Sequence, residues 1–473
     1  MKIKIRNAAV ALSVFGLVAF SGAAMATNGY FTHGVGTESK GMAGTGVGSN
    51  SANGPIIVAS NPALGVFASD SWEVGLSAFS PKRSYKAGSS AALGNGGAFT
   101  VGEGNFDSSS NWFPIPFVGK NWTMSNGNAL SFVFYGRGGM NTDWDDSDMT
   151  AWFNPGTGAD QFPGTFGAGD TGVDFSQAFL VLNYAGKAGD NFAWGIGPVF
   201  AVQSLEVNGV SSFMPFTKTF NDCFFTQPPG SCDPTPTSLS NKGHDITTGF
   251  GAAAGIWWAM GDAVSVGLSY QSELSMGEFK DYSDLFAEAG GFNIPESVKL
   301  GISFEGSNNA RLNFDIEHIS YGDISSIANP MSNLFSCPYA IYSATGSIPA
   351  ALTGDFESCL GGKEGGGFGW EDMTVYKMGI EWTPSDTTTY RFGYSYGEQP
   401  IQEGDLMFNI LAPGVMEQHI TFGMTKRKPN GGAWNFSLMY APSTSITAPS
   451  AFDPTQELTL KMTQFEFEVS YLW

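Results

Sequence analysis

Charge is scarce in this chain, and positive charge scarcer still. Only 14% of its 473 residues are charged, against about 25% in an average soluble domain. Its 22 Lys and Arg face 43 Asp and Glu, for a net charge of −21. That balance excludes a nucleic-acid partner, which needs a basic face; the acidity suits soluble exposed loops. Long apolar runs are lacking as well. The apolar stretch 8–20 is shorter than the roughly 20 residues a spanning helix needs, and no later segment comes closer, which excludes a helical membrane protein.

What the chain does have is 63 Gly, 39 Phe and an aromatic content of 14%. So uncharged and aromatic a sequence needs an apolar surrounding. Lys2, Lys4 and Arg6, the apolar stretch and Ala24-Met25-Ala26 together read as a secretory signal over 1–26 rather than a membrane anchor, with the mature chain starting at Thr27. The four cysteines form two local pairs, Cys223 with Cys232 and Cys337 with Cys359, and an even count in an exported chain points to disulfides. Their surroundings do not suit zinc: His244 is the one His near a pair, and it lacks a ligand-like repeat. No metal or cofactor is expected.

A membrane-spanning β-strand is about ten residues alternating between a lipid face and a lumen face. Residues 465–471 show this best, with Phe465, Phe467, Val469 and Tyr471 on one face, Glu466, Glu468 and Ser470 on the other, and the aromatic Trp473 at the end. The same period-two pattern, which a helix would not produce, places strands at 71–80, 113–122, 128–138, 174–186, 191–205, 245–259, 262–273, 296–306, 309–319, 372–383, 387–397, 417–427, 432–441 and 461–473. The fold class is therefore all-β, a transmembrane antiparallel barrel of 14 strands over 70–473. Short connections near Asn126-Gly127, Gly261-Asp262 and Pro429–Gly431 alternate with long ones elsewhere, as periplasmic turns alternate with external loops. Both termini then face the periplasm and both cysteine pairs lie outside.

Residues 27–69 precede the first strand and are rich in small residues, including Gly41, Ala43, Gly44, Gly46 and Gly48. They suit tight packing inside a barrel as a plug, with a disordered arm as the other reading. Two stretches resemble the long-chain fatty acid transporters of the FadL type, which include aromatic-hydrocarbon channels. One is the N-terminal run through Ser39-Lys40-Gly41-Met42-Ala43-Gly44 to Asn61, Pro62 and Ala63, similar to the family's plug; the other is Tyr394-Ser395-Tyr396 with Asn409-Ile410-Leu411-Ala412-Pro413-Gly414 and His419. The resemblance implies passive uptake of a long-chain fatty acid or other hydrophobic small molecule. Capture would be external, the ligand would pass to an internal pocket, an N-terminal hatch would gate it, and release into outer-membrane lipid would occur at a kinked third strand. It also implies a monomer. The third strand ends Tyr135-Gly136-Arg137-Gly138-Gly139, and glycines there tolerate a kink or bulge.

A fatty acid needs an apolar enclosure and a donor for its carboxylate, for which Arg is the natural fork. The alternation points Arg137, Lys299, Lys377 and Arg391 into the lumen, beside the inward Asp315, Glu317 and Glu381. Phe213, Phe216 and Phe220 cluster in the external loop 206–244, with Phe286 and Phe292 as the opposite wall; exposed apolar clusters mark binding sites. Asp143, Asp145, Asp146 and Asp148 form an acidic cluster that reads first as solvated loop charge and second as a cation site. Catalysis finds little support: His318 and His419 lie on different strands, and no Gly-x-Ser-x-Gly elbow accompanies either. The chain is read as a channel and not an enzyme, with a porin-like pore and a barrel hydrolase as the alternatives.

Overall fold

A strand in lipid must find all its backbone partners within the protein, and a closed barrel does this without leaving an edge. The computed structural model describes residues 27–145, 148–154, 158–306, 309–429 and 431–473; the expected signal, 1–26, lies outside them. Within them run fourteen long strands: β1 Trp72–Ala87, β2 Phe113–Thr123, β3 Ala129–Trp144, β4 Thr171–Lys187, β5 Phe192–Asn208, β6 Asp245–Ala259, β7 Val264–Gln271, β8 Ser297–Glu305, β9 Ala310–Ile319, β10 Met373–Ser385, β11 Thr388–Gly397, β12 Gln418–Arg427, β13 Ala433–Ser450 and β14 Asp453–Leu472. Each pairs antiparallel with the next. β14 returns to β1, from Leu458↔Ala87 to Leu472↔Glu73, and closes the sheet.

β14 records where the membrane ends. In its lower half Phe465 and Phe467 are exposed to the outside while Gln464, Glu466, Glu468 and Ser470 are buried inside. Above Gln464 the polarity inverts: Leu458, Leu460 and Met462 are buried, and Glu457 and Lys461 face out. The outside is lipid below and water above, so the inside is polar below and apolar above. That inversion corrects the expected strand ends, because an alternation sought as apolar-out stops at the lipid boundary. β1 continues past 80 to Ala87 and β3 past 138 to Trp144, which puts Asp143 in a strand. The expected long loop 442–460 is instead the top of a hairpin, with β13 and β14 paired as far as Ser450↔Asp453.

Residues 27–69 lie inside this barrel. They contain a short helix, α1 Thr37–Lys40, and two 3-10 turns, Pro55–Ala59 and Pro62–Val66. Small residues are needed where this segment touches the wall. A Cβ on Gly41 would stand 2.8 Å from Gly423 Cα, and one on Gly48 would stand 2.7 Å from the Gly301 carbonyl oxygen.

The external loops fold into short helices, among them α2 Lys218–Thr226 and α3 Pro338–Thr345. Thr217 caps α2, its hydroxyl accepting from Phe220 N at 3.2 Å, and Pro338 occupies the first turn of α3, where a missing N–H costs nothing. Cys223–Cys232 and Cys337–Cys359 are bonded, with Cα separations of 5.8 and 5.0 Å.

Candidate functional site

The inverted polarity divides the interior in two. The upper part holds a small apolar chamber bounded by Val173 of β4, Val207 of β5, and Phe213, Phe286, Phe368 and Phe408 from the loops. Phe213 and Phe286 stand on the chamber wall, whereas Phe292, expected beside Phe286, packs against Tyr30 and Phe175 instead. Phe216 and Phe220 do not line it. They build an aromatic cluster over α2 and α3, Phe216 against Tyr339 at 5.4 Å and Phe220 against Phe224 at 5.3 Å, with Phe224 exposed.

The chamber's neighbour is the start of the N-terminal segment. Tyr30 packs against Phe175, Phe292 and Trp370 at 5.9, 6.3 and 6.1 Å. Tyr321 pins this end: its hydroxyl accepts from the Tyr30 and Phe31 amides, each at 3.2 Å, and donates to the Asn28 carbonyl at 2.6 Å.

Below, the segment is tied to the wall by charge and hydrogen bonds around most of the circumference. Lys40 donates to Glu466 at 2.5 Å and Glu468 at 2.6 Å. Glu38 meets Arg391 at 3.0 Å, Asp315 accepts from the Gly46 and Val47 amides at 2.8 and 3.0 Å, and Lys377 donates to the His33 carbonyl at 2.8 Å. Burial and the Lys40 charge push the His33 imidazole well below its usual pKa range.

Asn61, Pro62 and Ala63 act as a second fastening. The Asn61 amide nitrogen donates to Val47 O at 2.9 Å and Ile256 O at 3.0 Å, and its oxygen accepts from Ala63 N at 3.0 Å. The Pro62 carbonyl accepts from Asn183 at 2.9 Å, and Ala63 is fully buried. Asn61→Ala removes these three hydrogen bonds, two of them buried, at a cost of about 1–3 kcal/mol. It is expected to speed proteolysis of 27–69 without lowering the yield of assembled barrel, read as the heat-modifiable band on a gel.

The four lumen cations named from the alternation are all inside, yet each already has a carboxylate. Arg137, Lys299 and Lys377 converge on Glu317 at 3.2, 3.4 and 2.6 Å. Arg391 holds Glu381 at 2.8 Å and Glu38 at 3.0 Å and is 1% exposed. Arg137, Lys377 and Arg391 are buried, and a cation so placed is costly without a partner; Lys299 is half-buried.

The third strand carries the expected irregularity. The β3–β4 register slips at Gln177/Ala178, so that Arg137 is bulged between Gly136 and Gly138. The β2–β3 ladder stops at Phe117↔Tyr135, leaving 113–116 of β2 unpaired on that side. Into the vacated edge comes the N-terminal segment: Phe31 pairs with Gly138, and Gly139 N donates to Tyr30 O at 3.1 Å.

A family model described as outer membrane protein transport protein (OMPP1/FadL/TodX) matches residues 17–425. The chain belongs to this family. Its barrel is accordingly that of a bacterial outer-membrane protein. Solved structures share the fold at low identity. The P. putida toluene transporter TodX is 15% identical, with 93% of this chain and 98% of that chain covered at a TM-score of 0.60. A Pseudomonas aeruginosa FadL homologue is 14% identical over 94% and 99%, with a TM-score of 0.59. The Ralstonia pickettii toluene transporter TbuX is 15% identical over 93% and 98%, with a TM-score of 0.53. No curated protein sequence matches.

Against this family background the histidines are informative. His318 faces outward beside Thr374 and Asp372. His419 contacts the Ser395 hydroxyl at 3.1 Å, but both are buried and His33 stacks on the imidazole at 5.4 Å. Of the acidic cluster, Asp146 lies outside the described residues and Asp143 bonds the Ser109 hydroxyl; no metal-holding group occurs among the described residues. Sequence reasoning missed Glu38, Lys40 and Tyr321. A charged pair in a glycine-rich plug was the available signal for the first two; Tyr321 carried none.

Proposed function

We propose that this chain is a passive uptake channel for hydrophobic compounds, long-chain fatty acids or hydrocarbons, working without a cofactor and as a monomer. The observation that carries the reading is the apolar chamber lying above a lumen filled by an anchored segment, next to an interrupted β2–β3 ladder. An aqueous pore would need the lumen open. The aromatic cluster of Phe216, Phe220 and exposed Phe224 captures ligand from outside, and the chamber holds its apolar part. Cargo leaves sideways when Tyr30 and Phe31 withdraw from the edge of β3, with 27–69 acting as the hatch. A compound released there enters lipid without crossing the polar lower lumen. The buried Ser395–His419 pair has no substrate access, which speaks for a transporter rather than a hydrolase.

Phe213→Ala tests the chamber. Truncating a buried aromatic wall residue costs about 3–5 kcal/mol in a packed core, part of which is contact with the cargo. Binding of a radiolabelled hydrophobic ligand to the purified barrel is expected to fall about tenfold, with Phe220→Ala changing the association rate more than the equilibrium. Equal equilibrium losses in both variants, or none in Phe213→Ala, would sink the assignment of the chamber.

A further inference from the structure

Five Lys and Arg side chains on the fourteen strands are exposed among the described residues: Lys82, Lys86, Lys187, Lys426 and Lys461. Lys187 and Lys426 stand at the lower ends of β4 and β12, beside short turns. Lys187 lies 4.8 Å from the Phe67 ring centre, and Lys426 donates to the Thr388 hydroxyl at 2.9 Å. The other three all lie on the upper outer face of a single seam, where β14 meets β1.

Register groups these three. Lys461 faces Ser84 across the ladder, with Thr463↔Lys82 below and Thr459↔Lys86 above. Both diagonal neighbours of Lys461 are therefore lysines, each about 7–8 Å away, and flexible stems bring the three ammonium groups to a common point. Like charges so grouped repel, in a chain whose 43 Asp and Glu could have neutralised them. Asp107, opposite Ser84 on the other side of β1, and Glu457, beyond Thr459 at the top, flank the group. Among the described residues none of the three lysines forms an ion pair with a carboxylate.

Their height is that of lipid headgroups. Phe465, exposed to lipid, pairs with Ser80, and the next outward pairs upward are Thr463 with Lys82 and Lys461 with Ser84. At about 3.4 Å per residue and a tilt of about 40°, Lys82 stands roughly 5 Å and Lys461 roughly 10 Å above Phe465. The group thus begins inside the polar layer, about 5–8 Å deep, that covers the hydrocarbon. Directly beneath it the exposed Leu76, Ala78, Phe465 and Phe467 offer a bed for acyl chains.

We infer that Lys82, Lys86 and Lys461 form a binding site for the phosphates of lipopolysaccharide in the outer leaflet, whose acyl chains run down the wall over β14 and β1. Lysine binds phosphate as a point charge without demanding a fixed geometry, which suits three flexible side chains around one headgroup. The site is on the outside of the wall and stands independently of the uptake reading.

The test uses the full barrel in a neutral, phosphate-free detergent, with diphosphoryl lipid A as the probe and binding read by native mass spectrometry. Lys461→Gln is expected to weaken binding about fivefold, the worth of one lysine at an anionic lipid surface, and the triple variant Lys82→Gln/Lys86→Gln/Lys461→Gln about a hundredfold. Lys461→Arg should bind as the wild type does, and lipid A stripped of its phosphates should bind the wild type only weakly. Lys187→Gln/Lys426→Gln, which removes outward charge at the other end of the wall, should change nothing. Every substituted side chain is exposed, and the heat-modifiable band checks that each variant assembles. Unchanged binding in the triple variant, equal binding of the stripped lipid, or an equal loss in the Lys187/Lys426 variant would overturn the site. So would full displacement of lipid A by millimolar inorganic phosphate, which would make it a site for a free anion, or equally tight binding of dioleoyl phosphatidylglycerol, which would make it a site for any anionic lipid.

Discussion

Glu317→Gln should destabilise the barrel by about 3–5 kcal/mol, the cost of breaking a buried ion pair from one side. Three cations converge on this carboxylate, Lys377 at 2.6 Å, Arg137 at 3.2 Å and Lys299 at 3.4 Å, and β3, β8 and β10 meet through it. The amide is nearly isosteric, so packing is retained while the central negative charge is lost. Urea titration of the heat-modifiable band measures the effect. Glu305→Gln is the control: its pair with Arg311 is mostly exposed on the Glu side, and such pairs are worth about 0–1 kcal/mol. If the two variants titrated alike, the lumen cluster would not be organised around Glu317.

Arg391→Ala should release the N-terminal segment rather than change ligand preference. Arg391 links Glu38 of α1 to Glu381 of β10, and its Nη1 donates to Thr425 of β12 at 2.6 Å. Removing it strands two buried carboxylates, again about 3–5 kcal/mol, but the strand ladders around it stay intact. The barrel is expected to assemble, and its single-channel conductance for small ions to rise severalfold as 27–69 loosens. Arg391→Lys, which keeps the charge without the fork, should fall between. Unchanged conductance, or a loss of oleate binding with octadecene spared, would return Arg391 to the ligand-reading role that alternation alone suggested.

Periodicity found the fourteen spans because lipid enforces it: a strand that meets hydrocarbon on one face and a filled lumen on the other must alternate, and residues 465–471 announce this without reference to any neighbour. It failed above Gln464, where water replaces lipid outside and apolar packing replaces polar contacts inside, so that the top of the β13–β14 hairpin read as a loop. The inward direction of Arg137, Lys299, Lys377 and Arg391 was equally legible. Their occupation was not, since Glu38 and Glu317 are distant in sequence from most of the cations they hold.

By itself, then, the sequence determined a barrel of alternating strands with a small-residue segment before it, since these follow from local period and residue size. Only the tertiary structure decided which carboxylate each lumen cation meets. It also showed where the wall is interrupted and that an apolar chamber lies above a polar lumen. Those depend on residues hundreds of positions apart being brought within 3 Å, and no local pattern encodes that distance.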